Sequence, residues 1–168
     1  YKVIYKVVDS SKDEQIKEEE LAFILEAGKF APSGMGLQSA IMIVVQDKGT
    51  IEKLSRLNSA VMGREGEDPF YGAPTVIVVL GDKEIKTYLE DGSLVIGNLM
   101  NAAASIGVSS CWIHRAKEVF ETDEGRELLK VLGIPENYVG IGNCILGYGE
   151  GEAPIPKKRK NNYVYRIK

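Results

Sequence analysis

At 168 residues, with 44% hydrophobic and 27% charged positions, the chain has the size and composition of one globular domain that can bury a substantial core. Its formal net charge of −3, from 21 Lys and Arg against 24 Asp and Glu, argues against broad electrostatic attraction to nucleic acid or to an anionic membrane. Two cysteines without CxxC or Cys/His spacing, and a single histidine, offer no metal-ligand pattern; with no secretory h-region at the start, a reducing cytoplasm is the expected setting.

Residues 1–11, YKVIYKVVDSS, alternate well enough for a strand, and the same spacing serves a short helix. A polar connector at 12–17 leads into Glu18–Phe30, where Leu21, Ile24, Leu25 and Phe30 mark an amphipathic helix with acidic residues in its first turn. Pro32, Gly34 and Gly36 then crowd the segment APSGMGLQS at 31–39, so the backbone must turn tightly and can approach another molecule closely. The apolar run Ala40–Val45 predicts a strand, Ile51–Met62 a second amphipathic helix, and Gly63–Gly72 a charged loop. After Pro74 comes TVIVVL. Both apolar runs read as central strands covered on two faces, which places helices on both sides of a sheet.

Between Asp91 and Arg115 no residue carries a full charge. Leu94, Val95, Ile96, Leu99, Met100, Ala102, Ala103, Ala104 and Ile106 surround a helix axis instead of forming one stripe, which predicts a helix covered on all sides. Gly97, Asn98, Asn101 and Ser105 interrupt it too often for a membrane span. Gly107 is placed for a left-handed cap, and Val108–Ile113 reads as a strand. A helix over Glu118–Leu132, stopped by Gly133 and Pro135, and a last strand over Tyr138–Tyr148 follow. The tail from Glu152, led by Pro154 and Pro156, has too few apolar residues to fold alone and must lie on something. Cys111 and Cys144 sit in apolar strands, where thiols act as small hydrophobes. The order of elements predicts a single α+β domain over 1–168, with helices around a mixed sheet and 152–168 as an extended tail.

No P-loop, GxGxxG, HExxH or GxSxG occurs, and His114, the only imidazole, is expected to have a hydrogen-bonded structural role. What remains is three stretches: APSGMGLQ, the strand end SCWIHR, and PKKRK in the tail. Close backbone donors can read a planar heterocycle and clustered Lys and Arg a phosphate, so together they suit a phosphorylated cofactor. Taken alone, PKKRK reads as a solvated basic tail.

From about residue 12 to the C-terminus, APSGMGLQS with IMIVVQD, DPFYGAPTVIVVLGD, DGSLVIGNLMNAAASIGVSSCWI and LGIPENYVGIGNCILGYGE resemble, block by block, the small FMN-dependent nitroreductase family. The resemblance implies a homodimer with the central helix at its interface and FMN between subunits. It implies NAD(P)H as electron donor in a ping-pong reaction, with a nitroaromatic, quinone or similar small molecule as acceptor. Pro32, Ser33, Gly34 and Gln38 would contact the flavin or its ribityl chain, the backbone of Ile113, His114 and Arg115 would approach the ring, and Lys157, Lys158 and Arg159 would hold the phosphate. No side chain need be catalytic, since the flavin carries the redox chemistry. Two departures stand out. The family's N-terminal Arg-Arg-Ser-x-Arg is replaced by Lys6 to Ser11, and Gly36 stands where an Asn is expected two residues before Gln38. They leave a second function open, a family member with weakened flavin binding that serves as a dimeric binding or structural protein.

Overall fold

The computed structural model describes residues 14–149 and 157–168; the two alternatives for 1–11 lie outside them. Its first helix, α1 (Glu18–Lys29), starts where the Lys17 N–H donates to the Glu20 carboxylate at 3.1 Å, with Glu18, Glu19 and Glu20 complementing the helix dipole. Strand β1 (Ala40–Val45) follows the turn at 31–39. Helix α2 (Lys48–Val61) begins three residues before the apolar periodicity does, because the Asp47 carboxylate caps it by accepting from the Thr50 N–H at 2.8 Å. Strand β2 (Thr75–Asp82), helix α3 (Tyr88–Ser105) and strand β3 (Ser109–Ile113) come next.

The single helix expected over 118–132 is two, α4 (Ala116–Glu121) and α5 (Asp123–Val131). Thr122 between them is extended, and its hydroxyl both donates to the Val119 carbonyl at 2.6 Å and accepts from the Gly125 N–H at 3.1 Å. One side chain thus closes the first helix and caps the second, a break that apolar periodicity does not register. Strand β4 (Tyr138–Gly147) completes the set.

The four strands of the described residues run in the order β1-β2-β4-β3. Every pairing among them is antiparallel, where a mixed sheet was expected. The α+β class stands. The strands β2 and β4 occupy the centre and are buried through most of their length. By contrast β1 is an edge strand with only Val45 buried, which corrects the reading of that run as a central strand. The reason lies in what covers it. Its two faces meet different helical layers, Ala40 and Met42 packing with α1 and α3, Ile41 and Ile43 with α2, so both faces are apolar although its outer side has no strand partner among the described residues.

Two helical layers sandwich the sheet. On one face α1 and α3 contribute Leu21, Ile24, Val95, Ile96, Leu99 and Met100 to a core shared with Ile77, Val79 and Cys144. On the other, α2, α4 and α5 pack Leu54, Leu57, Val119, Phe120 and Leu129 against Val76, Val78, Leu80 and Ile145. Each such aliphatic or aromatic side chain contributes roughly 1.5–3 kcal/mol when fully buried. The cover expected all around α3 is present on one side only: Leu89, Leu94, Asn101, Ala104 and Ile106 are exposed. Gly107 has φ 82°, the left-handed cap its position predicts. Among the described residues no helix is long and apolar enough to cross a membrane.

Candidate functional site

One buried carboxylate ties the turn after α1 to α3. Asp91, in the first turns of α3, accepts from the Gly34 N–H at 2.9 Å, from the Ser39 hydroxyl at 2.6 Å and from the Thr87 hydroxyl at 3.1 Å. Burial raises the carboxyl's proton affinity, but these three donors outweigh it and hold Asp91 below the usual carboxylate range. Only glycine fits at position 34, where a Cβ would run into the Thr87 side chain. Beyond it the chain makes a short 3-10 turn, Gly34–Gly36, and the Ser33 hydroxyl accepts from the Gln38 N–H at 3.0 Å. Met35 and Gln38 have φ 53° and 51°, a region that residues with side chains seldom occupy. The N–H groups of Ser33 and Met35 meet no acceptor among the described residues.

The second cluster closes β3. Ile113 is buried, and its carbonyl accepts from Asn143 Nδ2 at 3.5 Å. The His114 carbonyl accepts from Asn58 Nδ2 at 2.9 Å, while the His114 side chain is exposed. Asn58 is fully buried, and its Oδ1 has no partner among the described residues. Arg115 takes φ 78°, places its guanidinium 2.7 Å from Glu118, and starts α4 through its carbonyl, which accepts from the Val119 N–H. That bond to Arg115 holds the Glu118 carboxyl below its ordinary range. The backbone N–H groups of His114 and Arg115 meet no acceptor among the described residues. Two adjacent free donors therefore sit at an exposed strand end.

Pro32, Ser33, Gly34 and Gln38 are thus brought together in one turn, and Ile113, His114 and Arg115 at one strand end. The two groups adjoin different cores. Ala31 packs with the α1 and α3 layer, Ile113 with the α2, α4 and α5 layer, and no hydrogen bond joins them. Lys157, Lys158 and Arg159 lie exposed and make no ion pair among the described residues, although Lys160 sits 5.4 Å from the centre of the Tyr163 ring. Concavities of about 870 Å³ beside α4 and α5 and about 720 Å³ beside α2 include none of these residues. Sequence reasoning missed Asp91, Thr87 and Ser39 as a cluster. The available signal was a carboxylate opening a long uncharged helix.

A sequence model of the Nitroreductase family matches residues 11–149. The chain belongs to the nitroreductase family. A relative from Archaeoglobus fulgidus, provisionally named NADH dehydrogenase/NAD(P)H nitroreductase, is 32% identical over 146 residues, which are 83% of this chain and 78% of that protein. The crystal structure of a nitroreductase with bound FMN from Bacteroides fragilis superposes with a TM-score of 0.88 at 26% identity, covering all of both chains. A second FMN-bound nitroreductase, from Desulfitobacterium hafniense, superposes with a TM-score of 0.86 at 28% identity over 99% of this chain and 97% of its own. For this nitroreductase-family chain the free donors at Ser33, Met35, His114 and Arg115 fit a flavin, whose ring and ribityl oxygens are acceptors. Cys111 and Cys144 do not compete for a redox role, since burial pushes both thiols up.

Proposed function

We infer that the chain is an FMN-dependent NAD(P)H oxidoreductase that reduces nitroaromatic, quinone or similar small acceptors by a ping-pong mechanism. The observation that carries this reading is the pair of backbone donors at His114 and Arg115 that meet no acceptor among the described residues, on a chain of this family and fold. FMN, when bound, would supply the hydride chemistry between NAD(P)H and the acceptor. The protein's own part is to bind and orient. The backbone at Ile113, His114 and Arg115 would approach the ring. Pro32, Ser33, Gly34 and Gln38 would contact the flavin or its ribityl chain, and Lys157, Lys158 and Arg159 would neutralise the phosphate with charge-assisted bonds.

The turn and the strand end serve different layers of one chain, so a flavin that meets both is reached most simply when two copies contribute one cluster each. A homodimer also accounts for the exposed side of α3 and for the uncovered Tyr163, Val164, Tyr165 and Ile167 of the tail. Residues 1–168 then act as one domain, with the tail from residue 152 packed on the dimer.

The test is reconstitution. Purified protein mixed with FMN should quench flavin fluorescence with a dissociation constant in the micromolar range or below, and should oxidise NADH or NADPH only when an acceptor is present. Parallel double-reciprocal plots should mark the ping-pong order. Absence of quenching at tens of micromolar overturns the reading in favour of a dimeric binding or structural role. The feature that favours that role is the replacement of the family's N-terminal arginines by Lys6, Val7, Val8, Asp9, Ser10 and Ser11.

A further inference from the structure

We propose that Asp91 is the positioning residue of the flavin site: its buried carboxylate holds the Gly34–Gln38 backbone in its ligand-binding shape and thereby sets how tightly FMN is held. The inference rests on the flavin reading above and adds a residue that touches no ligand itself.

The geometry points this way because the clamp closes the turn at both ends. Gly34 and Ser39, five residues apart, donate to the two oxygens of one carboxylate, so the segment between them is tied off as a ring against α3. Inside the ring the 3-10 turn adds two backbone bonds, the Gly36 N–H to the Ser33 carbonyl at 3.0 Å and the Leu37 N–H to the Gly34 carbonyl at 3.1 Å. Met35, Gly36, Leu37 and Gln38 are exposed, Met35 to 91%, so packing does not impose their conformation. Yet Met35 and Gln38 keep left-handed backbone angles, which persist only where surrounding bonds over-determine them. The Ser33 hydroxyl, accepting from Gln38, supplies one further tie.

A contribution to general stability does not by itself explain this residue. Asp91 is 3% exposed and makes no ion pair among the described residues; three neutral donors alone compensate it. Burying a charge in that way is costly, and a well-packed apolar side chain commonly serves folding as well or better. The arrangement is useful where a specific loop shape must be kept. The loop kept here carries Ser33, Gly34 and Gln38 of the flavin site.

The experiment compares the full-length protein with Thr87→Val, Ser39→Ala, Asp91→Asn and Asp91→Ala. FMN dissociation constants are read by fluorescence quenching below the melting transition, and amide hydrogen exchange is followed along the chain. Removing one hydroxyl should weaken FMN about threefold to tenfold, and Asp91→Ala about tenfold to a hundredfold. Exchange should quicken at residues 34–38 while α1 and α3 keep their protection. Asp91→Asn, which retains an acceptor for the Gly34 N–H, should fall between wild type and Asp91→Ala. If wild type quenches FMN and the variants bind it equally well, or if exchange rises along both helices with affinity unchanged, the inference is overturned and Asp91 is structural only. Should Asp91→Ala not fold, Ser39→Ala and Thr87→Val decide the matter alone. No quenching by wild type overturns the flavin reading and this inference with it.

Discussion

Asp91 shows how three hydrogen bonds outweigh burial. Its carboxyl binds protons less readily in the folded chain than in the unfolded one, so the stability it contributes is present above the unfolded pKa of about 3.9 and is lost as pH falls through the lower folded value. The difference in melting temperature between wild type and Asp91→Asn should therefore be widest near neutral pH and shrink as the pH falls below the unfolded pKa, as thermal circular dichroism over a descending pH series would show. Cys144 represents the opposite case, a thiol with no compensating donor in a fully buried site. It should resist alkylation by iodoacetamide at pH 8 in the native protein and react once the protein is denatured. Rapid labelling of Cys144 under native conditions would mean that the strand pair β3 and β4 opens readily. His114 provides a third test. Its backbone is assigned to the ring and its side chain is exposed, so His114→Gln should keep more than about a tenth of the flavin-reduction rate, whereas a positioned general acid would contribute 10²–10⁴-fold. Stopped-flow bleaching of fully loaded enzyme by NADH measures it.

Elements were legible wherever a single local pattern decided them. The bounds of β1 match the apolar run 40–45, and α1 stops one residue short of the reading, because Phe30 closes the helix as its C-cap. Features created by a partner far along the chain were not legible. The place of β1 at the sheet edge depends on which strands pair, and helices on both its faces make an edge strand look central. The same holds for the site. Pro and Gly announced the turn at 31–39, but the carboxylate that fixes it lies 52 residues beyond Ser39 and 57 beyond Gly34. The division between α4 and α5 was hidden for another reason, since Thr122 caps through a hydroxyl that leaves the hydrophobic periodicity unbroken. Thr122→Ala should cost about 1 kcal/mol as a lost N-cap. Urea melts should show this as a lower midpoint with an unchanged slope; a midpoint at the wild-type value would remove Thr122 as the device that divides the two helices.

At the scale of the whole molecule, the turn at 31–39 and the end of β3 adjoin different cores, and the basic tail makes no ion pair among the described residues. Reversing Lys157, Lys158 and Arg159 to Glu should weaken FMN strongly while leaving the melt of the flavin-free protein unchanged, because these side chains are exposed and make no ion pair among the described residues. The uncovered stripe of α3 has a further consequence. If Leu94, Ala104 and Ile106 are covered only by a second copy, folding is a second-order event, and mass action joins temperature in deciding how much native protein exists. A hundredfold dilution, from about 100 to about 1 micromolar, should then lower the midpoint of thermal unfolding by roughly 4 °C for a pair of chains this size. A cell that makes little of this protein would hold it closer to its melting point than one that makes much, with no change in a single residue.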